Sequence, residues 1–265
     1  MKDAAMITLH GMGEVDDDYY EDLQDGVKKL LGKKWSKVAF HAVHYAEDLQ
    51  KPQNALWKKM VNNEDNDLDC TRVRKFFLYG FGDAGSLEHS AQRDAVKYKR
   101  VQQQIQAALS KAFIDVGKDS TKPVIIVAHS LGCQVISNYL WDAAHNQHSF
   151  EDTAGMDPDE LNFIKLKGLR NLVTTGCNIP LFTSGLDKRS CFKAPNSMFR
   201  WDNYYDADDV LGWPLKQLDP SFNIVNDHVI NAGGLFTSWN PLSHTKYWSD
   251  NDVIRPVAQR LLNLL

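Results

Sequence analysis

The residues that bear most directly on chemistry lie in "VIIVAHSLGCQVISNYL", Val124 to Leu140. A short apolar run, Val124 to Val127, passes into A-H-S-L-G, and apolar residues then recur at helical spacing through Val135, Ile136, Tyr139 and Leu140. A serine hydroxyl is a poor nucleophile unless a base removes its proton. A tight strand-to-helix turn exposes the Ser130 oxygen and leaves the Leu131 N–H free at a helix N-terminus, where it can stabilise a developing oxyanion. Strand and helix backbones approach closely in such a turn, so the positions two before and two after the serine must be small; here they are Ala128 and Gly132. The bland alternative is a serine that N-caps an ordinary helix.

On these residues the chain resembles the α/β-hydrolases, whose nucleophile occupies a G-x-S-x-G turn between strand and helix; Ala128 stands in place of the first glycine. The resemblance implies a serine hydrolase of the esterase or lipase type. It would cleave a small-molecule carboxylic ester or thioester through an acyl-enzyme, with no metal or organic cofactor. It also implies an acid and then a histidine, in that order, beyond the serine. Of the nine histidines, His228 and His244 lie well past Ser130 and near the chain end. His244, in the turn-rich "NPLSHTKYWSDNDV" before the final helix, fits the expected base, and His228 in "NDHVIN" is read as a structural hydrogen-bonder. The acid is expected after the penultimate strand, where "RWDNYYDADDVLGWPL" offers Asp206, Asp208 and Asp209. Asp209 before Val210-Leu211-Gly212 resembles the family pattern best, Asp208 and Asp206 remain alternatives, and Asp202 lies inside the strand. "HGMG" resembles the family's His-Gly segment: the Met12 N–H would join that of Leu131 in an oxyanion hole, Gly11 would permit close approach, and His10 would organise the loop. The alternative from a different class is a catalytically silent binding module on the same architecture.

These residues need a scaffold that gathers them, and the pattern of apolar runs supplies one. Ala4 to His10 and Lys37 to Tyr45 read as strands. Between them, Asp18 to Glu21 has capping-box spacing, Leu23, Val27, Leu30 and Leu31 follow a helical period, and Gly32 ends the helix. A short helix after Pro52 and a long one from about Ala91 to Phe113 are expected, with "KFFLYGFGD" between them a short strand or structured loop. "LRNLVTTGC" and "MFRWDNYYD" are further strands, and Val257, Leu261, Leu264 and Leu265 mark a last helix. Alternating strands and helices predict an α/β fold, a mostly parallel sheet with helices on both faces, here as one domain over 1–265. Ligands in such sheets bind at the C-terminal ends of the strands, where the residues above cluster. Segments 142–165 and 178–197 are candidates for small caps, and Phe81, Trp213, Phe236 and Trp239 for pocket walls.

Other constellations fail on chemistry. Asp65, Asp67 and Asp69 begin a D-x-D-x-D calcium pattern, but Cys70 and Phe76 stand where glycine and glutamate are required. His41 and His44 are three apart on a strand and face opposite sides. No G-x-x-x-x-G-K-[ST] occurs, and Cys133 reads as a small packed residue. The 265 residues are 43% hydrophobic and 24% charged, with a net charge of −4 spread along the chain, which argues against nucleic-acid binding. Cys70, Cys133, Cys177 and Cys191 form no disulfide or zinc pattern, as expected of free thiols in a reducing compartment. No run is long enough for an integral membrane segment, and the reading is of a cytoplasmic protein whose oligomeric state and acyl-chain preference stay open.

Overall fold

The structure, a computed structural model, describes every residue except 13–14, 62–67, 88–94, 233–243 and 245. Six strands form one all-parallel sheet: β1 (Ala4–Leu9), β2 (Val38–Val43), β3 (Val124–His129), β4 (Leu169–Thr175), β5 (Arg200–Asp206) and β6 (Val225–Ile230), in spatial order β2-β1-β3-β4-β5-β6. The order reverses at β1, so the loops leaving β1 and β3 diverge and open a crevice between them. Leu9 pairs with Ala128 and His129 with Thr175, so the C-terminal ends of β1, β3 and β4 lie level.

Helices cover both faces because the central strands are apolar on both. Met6, Ile125, Val127 and Val173 point toward α1 (Glu21–Leu31) and α8 (Asn251–Leu262), meeting Leu23, Val27, Val253 and Val257. Ile7, Leu9, Ile126, Ala128 and Leu172 point the other way, toward α4 (Ala95–Asp115) and α5 (Leu131–His145). The period of two along each strand thus splits the core into two layers. Two further helices, α2 (Ala46–Val61) and α3 (Thr71–Leu87), pack on each other and on α4.

Several elements differ from expectation. Helix α1 begins at Glu21 with Tyr20 as N-cap and no side-chain cap, so the capping box does not form, and Leu30 is exposed. "KFFLYGFGD" lies inside α3 rather than in a strand or loop. Its glycines serve close approach, not turning: a Cβ on Gly80 would collide with the Met12 sulfur, and one on Gly82 would stand 2.7 Å from the Gln53 amide. "NDHVI" falls in β6, an edge strand whose Val229 is exposed, which explains its weak apolar alternation. Pro256 sits inside α8, which starts at Asn251 behind Asp250, whose carboxylate accepts the Asp252 N–H. Residues 142–165 finish α5 and include α6 (Pro158–Ile164), whose Phe163 packs on Phe113 of α4. That segment leads into the start of β4, at the end of the sheet opposite Ser130, and so does not cap the crevice. Asp65, Asp67, Phe236 and Trp239 lie outside the described residues, as does the Phe81 side chain. Among the described residues no helix is long and apolar enough to cross a membrane.

Candidate functional site

Ser130 stands between β3 and α5 with φ 51° and ψ −120°, a left-handed backbone that a non-glycine residue adopts only under strain of about 1–3 kcal/mol. The turn is held from several sides. The Ser130 N–H donates to Thr175 O at 2.9 Å, and Ser130 O accepts from the Cys133 N–H at 3.0 Å. The demand for small neighbours is literal at Gly132, where a Cβ would stand 2.5 Å from His10 O and 2.9 Å from Leu9 O. Gly11 plays the same part from β1, since its Cβ would stand 2.9 Å from Ser130 Cβ. Leu131 opens α5, so its N–H is among those without an intrahelical partner, and Met12 follows Gly11 across the crevice.

His10 organises the first loop. Its Nδ1–H donates to Gly11 O at 2.8 Å, its Nε2 accepts from the Tyr45 N–H at 3.3 Å, and its ring stacks on Tyr45 at 3.9 Å between centroids. Burial drives its pKa down to about 4, so the ring is neutral.

His244 and Asp209 meet, both buried: His244 Nδ1 lies 2.8 Å from Asp209 Oδ2. The same oxygen accepts from the Tyr247 hydroxyl at 2.9 Å, and Oδ1 accepts from the Leu211 N–H at 3.0 Å. Burial by itself would raise the Asp209 pKa. The His244 hydrogen bond, that ring's charge and the two other donors outweigh it, and the carboxyl lies below its ordinary value. An ionised carboxylate can only accept, so Nδ1 carries a hydrogen, and in the neutral ring Nε2 is the acceptor. The alternative acids are committed elsewhere. Asp206 accepts the N–H groups of Asp208 at 2.9 Å and Ala232 at 2.7 Å, and Asp208 is exposed. Asp202 takes Arg200, His228 and Arg260, which makes His228 a structural partner, its Nε2 2.9 Å from Asp202.

Ser130 and His244 border the same piece of β4. A Cβ on Gly176, the residue after Ser130's hydrogen-bond partner Thr175, would stand 3.0 Å from His244 Cε1. The hydrogen bond between them is not made: His244 Nε2 is buried without a hydrogen-bond partner, and Ser130 Oγ instead accepts from Asn178 Nδ2 at 3.4 Å. Such bonds are often open in ligand-free sites and close around a substrate.

Three neighbours had no signal in the sequence beyond adjacency. Asn178 is fully buried, with Oδ1 unpartnered, just before α7 (Ile179–Thr183). His129 precedes the serine; its ring lies 4.7 Å from that of His244, its Nδ1 faces Thr175 O at 3.1 Å, and burial followed by the neighbouring His244 charge lowers its pKa to about 3. Tyr247 follows His244 by three residues. Segment 178–197 does border the site through Asn178, and its Leu181 and Leu186 are exposed. Trp213, whose backbone N–H donates to Cys177 O at 3.0 Å, flanks the same loop and is exposed. Among the described residues no group of three His, Cys, Asp or Glu side chains is placed to hold a metal ion.

No family model matches the chain, and no curated protein matches it in sequence. Among solved structures it is similar to a novel cutinase-like protein from Cryptococcus sp., with a TM-score of 0.42 and 10% sequence identity over 98% of this chain and 94% of that one. At that distance the likeness bears on neither the site nor the activity.

Proposed function

We propose that the protein is a serine hydrolase of the α/β-hydrolase type that cleaves carboxylic esters or thioesters. The observation that carries this reading is the buried Asp209–His244 pair at 2.8 Å, its Nε2 open, with the imidazole bordering Gly176, next to the Thr175 carbonyl that holds the strained Ser130 turn. In the proposed reaction the Ser130 oxygen attacks the acyl carbon while its proton passes to His244 Nε2. The Leu131 and Met12 N–H groups receive the carbonyl oxygen as it becomes an anion. The C–O or C–S bond breaks, the leaving group takes the proton from Nε2, and the acyl group stays on Ser130. Water then attacks the acyl-enzyme, giving its proton to His244 and releasing the carboxylic acid as the serine is restored. Asp209 fixes the ring tautomer and offsets the imidazolium charge.

The test is hydrolysis of p-nitrophenyl esters of increasing acyl length by wild type and Ser130→Ala. Turnover by the wild type, lost in the variant, is expected. A folded wild type that turns over none of them would overturn the reading in favour of a catalytically silent binding module.

A further inference from the structure

We infer that Tyr247 is a positioning residue for the Asp209–His244 pair, its hydroxyl acting as the second donor on the carboxylate oxygen that orients the imidazole; this rests on the hydrolase reading above. The direction of the hydrogen bonds is fixed by chemistry. The Asp206 N–H, at the end of β5, can only donate, and it does so to the Tyr247 hydroxyl at 2.9 Å. The phenol hydrogen is therefore free to point at Asp209 Oδ2, 2.9 Å away, beside the His244 Nδ1–H on the same oxygen. With the Leu211 N–H on Oδ1, the carboxylate has three donors among the described residues, two side chains on Oδ2 and one backbone group on Oδ1. The residue thus ties three things together: the end of β5, the acid, and the turn that carries the histidine.

The surroundings keep this arrangement free of intrusion. A Cβ on Gly212 would stand 2.6 Å from Asp209 Oδ2 and 2.9 Å from the Tyr247 oxygen, and one on Gly176 would stand 3.0 Å from both His244 and the Tyr247 ring. Tyr247 itself is fully buried. Among the described residues, the titratable groups facing the pair are few. From β3 comes His129, a ring 5.7 Å from Tyr247 and neutral. From the end of β5 comes the Asp206 carboxylate, already occupied by the N–H groups of Asp208 and Ala232. Asp208 and Lys246 are turned to solvent.

Phenylalanine would fill the same volume without the donor, which separates packing from positioning. Without the hydroxyl, the Asp209 charge is less dispersed, so it holds a protonated His244 more firmly and itself takes up a proton more readily. Both effects move the acid limb of the kcat/KM profile to higher pH, whereas a packing defect lowers activity evenly across pH.

The experiment is the pH dependence of kcat and KM for p-nitrophenyl acetate in wild type and Tyr247→Phe, with thermal melting to establish folding. The expected result is a kcat lower by about tenfold, KM within about twofold, and an acid limb displaced upward by roughly half a pH unit. Gly212→Ala, which drives a methyl group between the acid and the phenol, should displace the limb in the same sense and serves if Tyr247→Phe does not fold. An unmoved limb, whatever the uniform loss, overturns the inference alone. An inactive wild type overturns the hydrolase reading and the inference with it.

Discussion

Replacing Asp209 by asparagine changes one atom and sets two sides of the site against each other. Two donors face Oδ2, from His244 and Tyr247, and one faces Oδ1, from Leu211. An amide offers one acceptor and one donor, so it satisfies one side and opposes the other. With its oxygen toward His244, its NH2 meets the Leu211 N–H, and a buried donor is left unpaired at about 1–3 kcal/mol. With its NH2 toward His244, Nδ1 must accept, the ring hydrogen moves to Nε2, and the base can no longer take the serine proton. The second outcome also removes the charge that offsets the imidazolium. Losing tautomer and charge together lowers kcat by about 10³–10⁴, or about 4–5.5 kcal/mol in the barrier. Turnover of a p-nitrophenyl ester and the melting temperature, measured on Asp209→Asn beside Asp208→Asn, read both effects. A large loss in the first and near-native turnover in the second is expected, since Asp208 is solvent-exposed. Equal losses, or an Asp209→Asn enzyme within about tenfold of wild type, would refute this account of the acid.

Gly132→Ala should destabilise strongly, because the added methyl meets backbone, His10 O at 2.5 Å and Leu9 O at 2.9 Å, which cannot step aside. Overpacking of this kind costs about 1–3 kcal/mol or more, and an unchanged urea midpoint would contradict the close approach. His228→Ala should leave turnover within about twofold of wild type while lowering stability through Asp202, and a catalytic loss like that of His244→Ala would overturn the choice between the two histidines. Stability should also fall with acid well before the carboxylates titrate. His10 and His129 stay neutral in the folded chain, near 4 and 3 against an ordinary 6.5, so between 6.5 and about 4 the unfolded chain binds protons that the native one does not. Folding stability is then complete above pH 6.5 and drops by up to about 1.4 kcal/mol per pH unit for each ring, less for the more accessible His129. Urea unfolding at about pH 7 and about pH 5 reads this directly, and equal stabilities would contradict it.

The parts of the fold legible in the sequence were those where a single force dominates. β1 and β3 are buried on both faces and read as nearly continuous apolar runs, and the Ser130 turn announces itself through Ala128 and Gly132. The α3 helix was hidden because Gly80 and Gly82 read as punctuation, while the structure spends them on room for Met12 and Gln53. β6 was ambiguous because an edge strand needs little apolar surface, and its polar residues are used sideways, as in the His228 bond to Asp202. In the acidic run 206–209, composition is silent on which carboxylate turns inward; the backbone N–H groups that claim Asp206 exist only after folding. Asn178, His129 and Tyr247 reach the site by sheet register and turn geometry, from positions with no motif of their own.

The central claim is that Ser130 is a nucleophile activated by His244. Treating the folded protein with an alkyl fluorophosphonate and locating the adduct by peptide mass spectrometry tests it most directly. The account predicts a single adduct on Ser130, absent in Ser130→Ala and formed about 10³-fold more slowly or worse in His244→Ala. A folded wild type that stays unlabelled, or one that labels as fast without the imidazole, would contradict it.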